Sequence, residues 1–182
     1  MTLFFYVIIA IITFFAFLHA WSRKRYDVSR TVVINSSKDE VYSLVRQLKK
    51  QPLWVPWFKR NPEVVLKFKG DDGKLGATFY WHGNNRVGEG TQNIIKVKQG
   101  KVVETKLLFV KPIKLTALTY IGVKEIEPEK TKMVWGVRGH LAFPLSIMSI
   151  FYTADRFLGK DLEQGLKNLK TILERNKQSV SV

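Results

Sequence analysis

Between Pro144 and Leu173 the apolar residues Ile147, Ile150, Phe151, Ala154, Phe157, Leu158, Leu162, Leu166, Leu169, Ile172 and Leu173 recur at helical spacing. They form one stripe over more than seven turns of about 3.6 residues each. Arg156, Lys160, Glu163, Lys167, Lys170 and Glu174 occupy the other face, and Pro144 suits a first helical turn. A stripe this long is stable only against an equally long apolar surface, so the rest of the chain must supply one.

The middle of the chain supplies it with the opposite period. Segments 64–69, 77–82, 86–98, 101–110, 115–126 and 132–141 read as strands, and 28–34 reads as a seventh. Their separators are turn signals such as Gly70-Asp71-Asp72-Gly73, Gln99-Gly100 and Glu127-Pro128-Glu129-Lys130, short enough for antiparallel hairpins. One early helix is expected after Asn35-Ser36-Ser37, where Ser37 and Glu40 form a capping box ahead of Val41, Leu44, Val45 and Leu48. That helix is expected to stop by Pro52, before an aromatic cluster of Trp54, Trp57 and Phe58. The resulting class is α+β: a curved antiparallel sheet of about seven strands wrapped around a long C-terminal helix. A helix fills such a concavity only partly, which leaves a cavity lined by apolar and aromatic side chains.

The first residues do not belong to this pattern. From Thr2 to Ser22 there are 21 uncharged residues, which as a helix reach roughly 30 Å, the thickness of a bilayer core. Arg23, Lys24 and Arg25 follow, with Trp21 and Tyr26 where aromatic rings settle at an interface. A secretory signal is the competing reading, but it needs basic residues before the apolar run and a small-residue cleavage site after it. Leu18-His19-Ala20 is a poor cleavage pattern. The reading taken is a single uncleaved transmembrane anchor in the inner or cytoplasmic membrane, with the chain after Arg25 facing the cytoplasm. Residues 1–25 are then anchor and basic flank, 26–176 a ligand-binding domain and 177–182 a flexible tail.

Lys and Arg number 30 against 15 Asp and Glu, a net charge of +15. Setting aside the three basic residues that flank the anchor leaves 27 against 15, or +12 on the domain. Beside a membrane that surplus matches anionic head groups, and no recognised nucleic-acid motif accompanies it. Cysteine is absent, which excludes disulfides, thiolate metal sites and a cysteine nucleophile.

Local sequence adds a family likeness. Gly76-Ala77-Thr78-Phe79-Tyr80-Trp81-His82-Gly83-Asn84, followed by Val87-Gly88-Glu89-Gly90 and Ile94-Ile95, resembles a two-strand signature of bacterial polyketide-cyclase-like proteins. Val41 with Trp54 and Trp57, and the closing run from Gly159 to Leu169, agree with it. The likeness covers roughly Asp27 to Asn176 and is to the START/polyketide cyclase (SRPBCC) superfamily. It implies a helix-grip fold and functions that range from lipid carriage to cyclisation; a fold alone fixes neither.

Catalytic constellations are scarce. His19, His82 and His140 form no paired metal motif, and Gly88-Glu89-Gly90 lacks the third glycine of a dinucleotide loop. No metal and no cofactor is expected. Alternation puts Thr78, Tyr80 and His82 on one face and Ala77, Phe79 and Trp81 on the other, without saying which is inward. Glu89 shares a face with Val87, Thr91, Ile95 and Val97. In a cyclase it, or His82, is the candidate base, its pKa raised by burial; the alternative is a structural hydrogen bond. Trp54, Trp57, Tyr80, Trp135, Phe151 and Arg138 are the candidate ligand contacts. The expectation is a binding domain for a hydrophobic small molecule or lipid, and not an enzyme. The alternatives are a cyclase or dehydratase acting on a lipophilic substrate, and an interaction module for another membrane protein.

Overall fold

The computed structural model describes residues 2–59, 63–84 and 87–178. Helix α1 (Thr2–Trp21) precedes β1 (Arg25–Ile34), α2 (Lys38–Val45), a 3₁₀ turn (Leu48–Lys50) and two single-turn helices, α3 (Gln51–Trp54) and α4 (Pro56–Lys59). Six strands follow: β2 (Val65–Lys69), β3 (Thr78–His82), β4 (Glu89–Lys98), β5 (Val102–Lys111), β6 (Leu115–Glu127) and β7 (Lys130–His140). The chain ends in α5 (Leu145–Phe151) and α6 (Ala154–Gln178).

The seven strands form one sheet in the order β1-β7-β6-β5-β4-β3-β2, with every neighbouring pair antiparallel. The strands present alternating sets to the concave side, with register slips in β4 and near the end of β6. Phe79 and Trp81 of β3, Val103 and Leu107 of β5, Ala117 and Ile121 of β6, and Met133 and Trp135 of β7 are all buried. α6 closes this side with Leu162, Leu166, Leu169 and Leu173, the apolar stripe expected from the sequence. Full burial of each leucine is worth about 1.5–3 kcal/mol before entropy is charged. Gly165, on the same helix, lets α6 approach Trp135: a Cβ there would lie 2.6 Å from the indole ring.

Three expectations are corrected. The long C-terminal helix is two helices, because Tyr152 adopts an extended backbone (φ −134°, ψ 123°) and ends α5. Tyr152 and Thr153 are weak helix formers, and threonine is favoured just before a helix start. Released from α6, α5 runs toward the end of α1. Second, Leu48, expected on one helix with Val41, Leu44 and Val45, starts a separate 3₁₀ turn; α2 ends at Val45, before Pro52 as expected, and Pro52 lies in the first turn of α3, where its missing N–H costs nothing. Third, α6 continues through residues 177 and 178. The remainder of the expected tail, and Arg86 at the expected start of β4, lie outside the described residues.

α1 satisfies the length and hydropathy of a membrane-crossing helix, with a mean hydropathy of 2.4 in its most apolar window and nothing in that window buried. Its last turn meets α5. His19 Nδ1 lies 2.7 Å from Ser146 Oγ, and the His19 and Phe143 rings meet edge to face at 5.8 Å. The chain between α1 and β1 is fixed there as well: Ser149 Oγ donates to the Arg23 carbonyl at 2.9 Å and the Leu141 N–H to the Lys24 carbonyl at 2.7 Å.

Candidate ligand cavity

Between the concave face and the helices lies a cavity of about 470 Å³, within the range of small-molecule sites. Its walls are apolar. Trp81 and Phe109 meet edge to face at 5.4 Å on one side, and Trp57 and Trp135 at 5.7 Å on the other. The Trp57 indole is held by a 2.6 Å hydrogen bond to Asp161 Oδ2 of α6. Trp81 packs over residue 90, where only glycine leaves room: a Cβ on Gly90 would come within 2.6 Å of its ring.

The inner end carries neutral polar groups. Gln92 Nε2 donates to Thr105 Oγ1 at 2.9 Å, and Thr105 Oγ1 and Thr119 Oγ1 are 2.7 Å apart. All three are buried, and Gln92, Thr119 and the buried Gln51 border the cavity. Among the described residues bordering it, Lys111 at the rim is the one charged side chain. Tyr26 also borders the cavity, and burial pushes its phenol pKa upward, so it stays a neutral donor and acceptor. Ile113, Met148, Tyr152 and Phe157 form the outer end, and all four are exposed.

Of the residues singled out in the sequence, Trp57 and Trp135 line the cavity. Trp54 is fully buried behind Trp135, its ring 4.7 Å away. The rest are elsewhere. The inward set on β3 is Phe79 and Trp81, which turns Tyr80 and His82 to the outer face. There Tyr80 Oη donates to Glu89 Oε1 at 3.0 Å, Lys111 Nζ sits 3.1 Å from Glu89 Oε2, and His82 Nδ1 is 3.4 Å from the same oxygen. The Lys111 ammonium and the Tyr80 hydroxyl lower the Glu89 pKa, the reverse of the raised value a general base in a dry pocket needs. Glu89 is thus paired on the outer face, away from the cavity.

Arg138 also lies on the outer face, donating to Glu104 Oε2 at 3.1 Å with its guanidinium over the Tyr120 ring. Phe151 ends α5 and is 70% exposed. It does not border the cavity. Trp81, Phe109, Gln92 and Thr119 were missed. Gln92 and Thr119 each interrupt an otherwise apolar inward set, a signal readable only once the inward face of each strand is known.

Among the described residues no group of three His, Asp or Glu side chains could hold a metal ion.

The geometry is that of a known architecture. The chain has the helix-grip fold. Norcoclaurine synthase of Thalictrum flavum, in complex with a transition-state analogue, superimposes with a TM-score of 0.64 at 12% identity, over 84% of this chain and 96% of that one. A protein of Thermobifida fusca gives 0.61 at 14% identity, over 82% and 93%. The major latex-like protein 151 of Panax ginseng gives 0.59 at 13% identity, over 83% and 99%. No protein-family model and no curated protein matches the sequence. At these identities the likeness is one of fold.

Proposed function

We propose that the protein is a membrane-anchored carrier of an uncharged lipophile with one polar end, such as a lipid alcohol or an isoprenoid carbonyl compound. The cavity is the observation that carries this reading: an apolar space of about 470 Å³ that ends on amide and hydroxyl groups. A hydroxyl or carbonyl placed against Gln92, Thr119 and Gln51 exchanges hydrogen bonds there. A carboxylate or phosphate would be buried without a cation and would pay a large desolvation penalty. Anchoring is supported by the length and exposure of α1, and a cytoplasmic domain by Arg23, Lys24 and Arg25 directly after it.

Burial, and not bond making, is the mechanism in this reading. The carboxylate considered for catalysis lies outside the cavity, and the groups inside are neutral. The test is mass spectrometry of organic extracts from the full chain purified from its native membrane, with a peptide of the anchor alone as control. One enriched neutral lipophile is the expected result. An extract identical to the control sinks the carrier reading in favour of an interaction module. Turnover of the recovered compound by the protein would favour the cyclase-type reading.

A further inference from the structure

The outer end of the cavity is bordered by an exposed apolar stretch. From Leu141 to Ala154 there is no charged residue, yet this stretch lies at the surface. Phe143 is 59% exposed, Met148 51% and Phe151 70%, and Tyr152, Phe157 and Ile113 are exposed beside them. Water-soluble proteins seldom present contiguous apolar patches of this kind without a partner.

Two observations bear on what covers it. The patch is continuous with the end of α1 through the His19–Ser146 and His19–Phe143 contacts and the Ser149–Arg23 hydrogen bond. Exposed cations also border it: Arg23 and Lys24 between α1 and β1, Arg25 at the start of β1, Lys114 beside Ile113, and Arg156 over the Tyr152 ring. An apolar face with a basic margin fits the interface of an anionic leaflet.

We propose that the α5 face, with Ile113, Tyr152 and Phe157, rests among the head groups of an anionic bilayer. The mouth of the cavity then opens directly into the leaflet, and ligand exchanges with lipid without crossing water. This rests on the anchored-carrier reading and extends it from tethering to docking, with α5 as an interfacial segment between anchor and cavity.

The chain has no cysteine, so single labels can be placed cleanly. The full chain is reconstituted into phosphatidylcholine vesicles with and without phosphatidylglycerol, carrying a polarity-sensitive fluorophore at Phe151→Cys, Ile11→Cys or Leu75→Cys. Leu75 is exposed in the turn between β2 and β3, at the far end of the sheet from the mouth. The expected result is blue-shifted emission at position 151, quenched by lipids spin-labelled near the head group and strengthened by phosphatidylglycerol, with position 75 unshifted. Quenching at position 11 by deep-labelled lipids, with position 151 in water, overturns docking and leaves the anchor standing. Positions 11 and 151 both in water overturn docking and anchor together. A blue shift at 151 that lipid quenchers do not touch assigns the face to a second copy of the chain and overturns the proposal.

Discussion

Ser146, fully buried in α5, sits 2.7 Å from His19 in the last turn of α1, 127 positions away in sequence. This contact joins the most apolar segment of the chain to α5 at the rim of the cavity. Replacing His19 with Leu leaves the Ser146 hydroxyl unsatisfied, which costs about 1–3 kcal/mol. Amide exchange in residues 141–151 should accelerate in detergent or nanodiscs while exchange in the β5–β7 strands is unchanged. Equal protection in both proteins would show that the pair does not secure α5.

Gly90→Ala should be among the more damaging single-methyl changes in the sheet. The added Cβ falls 2.5 Å from the Leu108 carbonyl and 2.6 Å from the Trp81 ring, so strand or indole must move. Overpacking of this kind costs about 1–3 kcal/mol. A lowered thermal midpoint with a shifted tryptophan emission is the expected outcome.

Leu166→Ala removes a side chain that α6 buries against the sheet. The expected loss is about 2–5 kcal/mol, depending on how far the site collapses. Chemical denaturation of the full chain in micelles measures it.

Acid should weaken the outer face. Glu104 and Glu89 both have lowered pKa values, Glu104 chiefly through the Lys96 hydrogen bond and Glu89 chiefly through that of Lys111. A depressed carboxyl pKa contributes stability above the unfolded value, about 4.3 for glutamate, and that contribution is lost as pH falls through the folded value. The thermal midpoint should therefore drop below about pH 4.3, with a shallower drop in Glu104→Gln. Glu89→Gln should leave ligand binding intact, because its carboxylate faces away from the cavity.

Gln92→Leu tests the polar end of the cavity. Loss of one neutral hydrogen bond is worth about 1 kcal/mol, so affinity for a hydroxylated lipophile should fall several-fold while a hydrocarbon of the same length binds equally well. Titration with both ligands separates the two outcomes.

Element type was legible because the strands alternate and the Leu162–Leu173 stripe is helical. Inward and outward faces were not legible, and β4 shows why. Gln92 and Ile94 are buried, but the register slips between Ile94 and Lys96. Beyond the slip Val97 pairs with the buried Val103 and packs on the core. One extra residue at Ile95 therefore exchanges the two faces within a single strand. Glu89 and Val97, equivalent by counting, end on opposite sides of the sheet. The break at Tyr152 was hidden for a different reason. The apolar spacing runs straight through it, and what the break allows is a contact between distant parts of the chain, α5 on the end of α1, which the spacing does not carry. Trp57 and Trp135 could be found from residue type alone, whereas Tyr80, Arg138 and the Glu89 cluster required the register.

The bonds from Ser146, Ser149 and Leu141 to residues 19, 23 and 24 also bear on how the protein should be handled. Removing the first 22 residues to obtain a soluble fragment would take His19 from beneath α5 and leave a new, charged chain end beside the rim. Such a fragment would keep the sheet and α6 but lose what α5, one wall of the entrance, rests on, so binding measured on it would describe a different vessel from the one the whole chain builds.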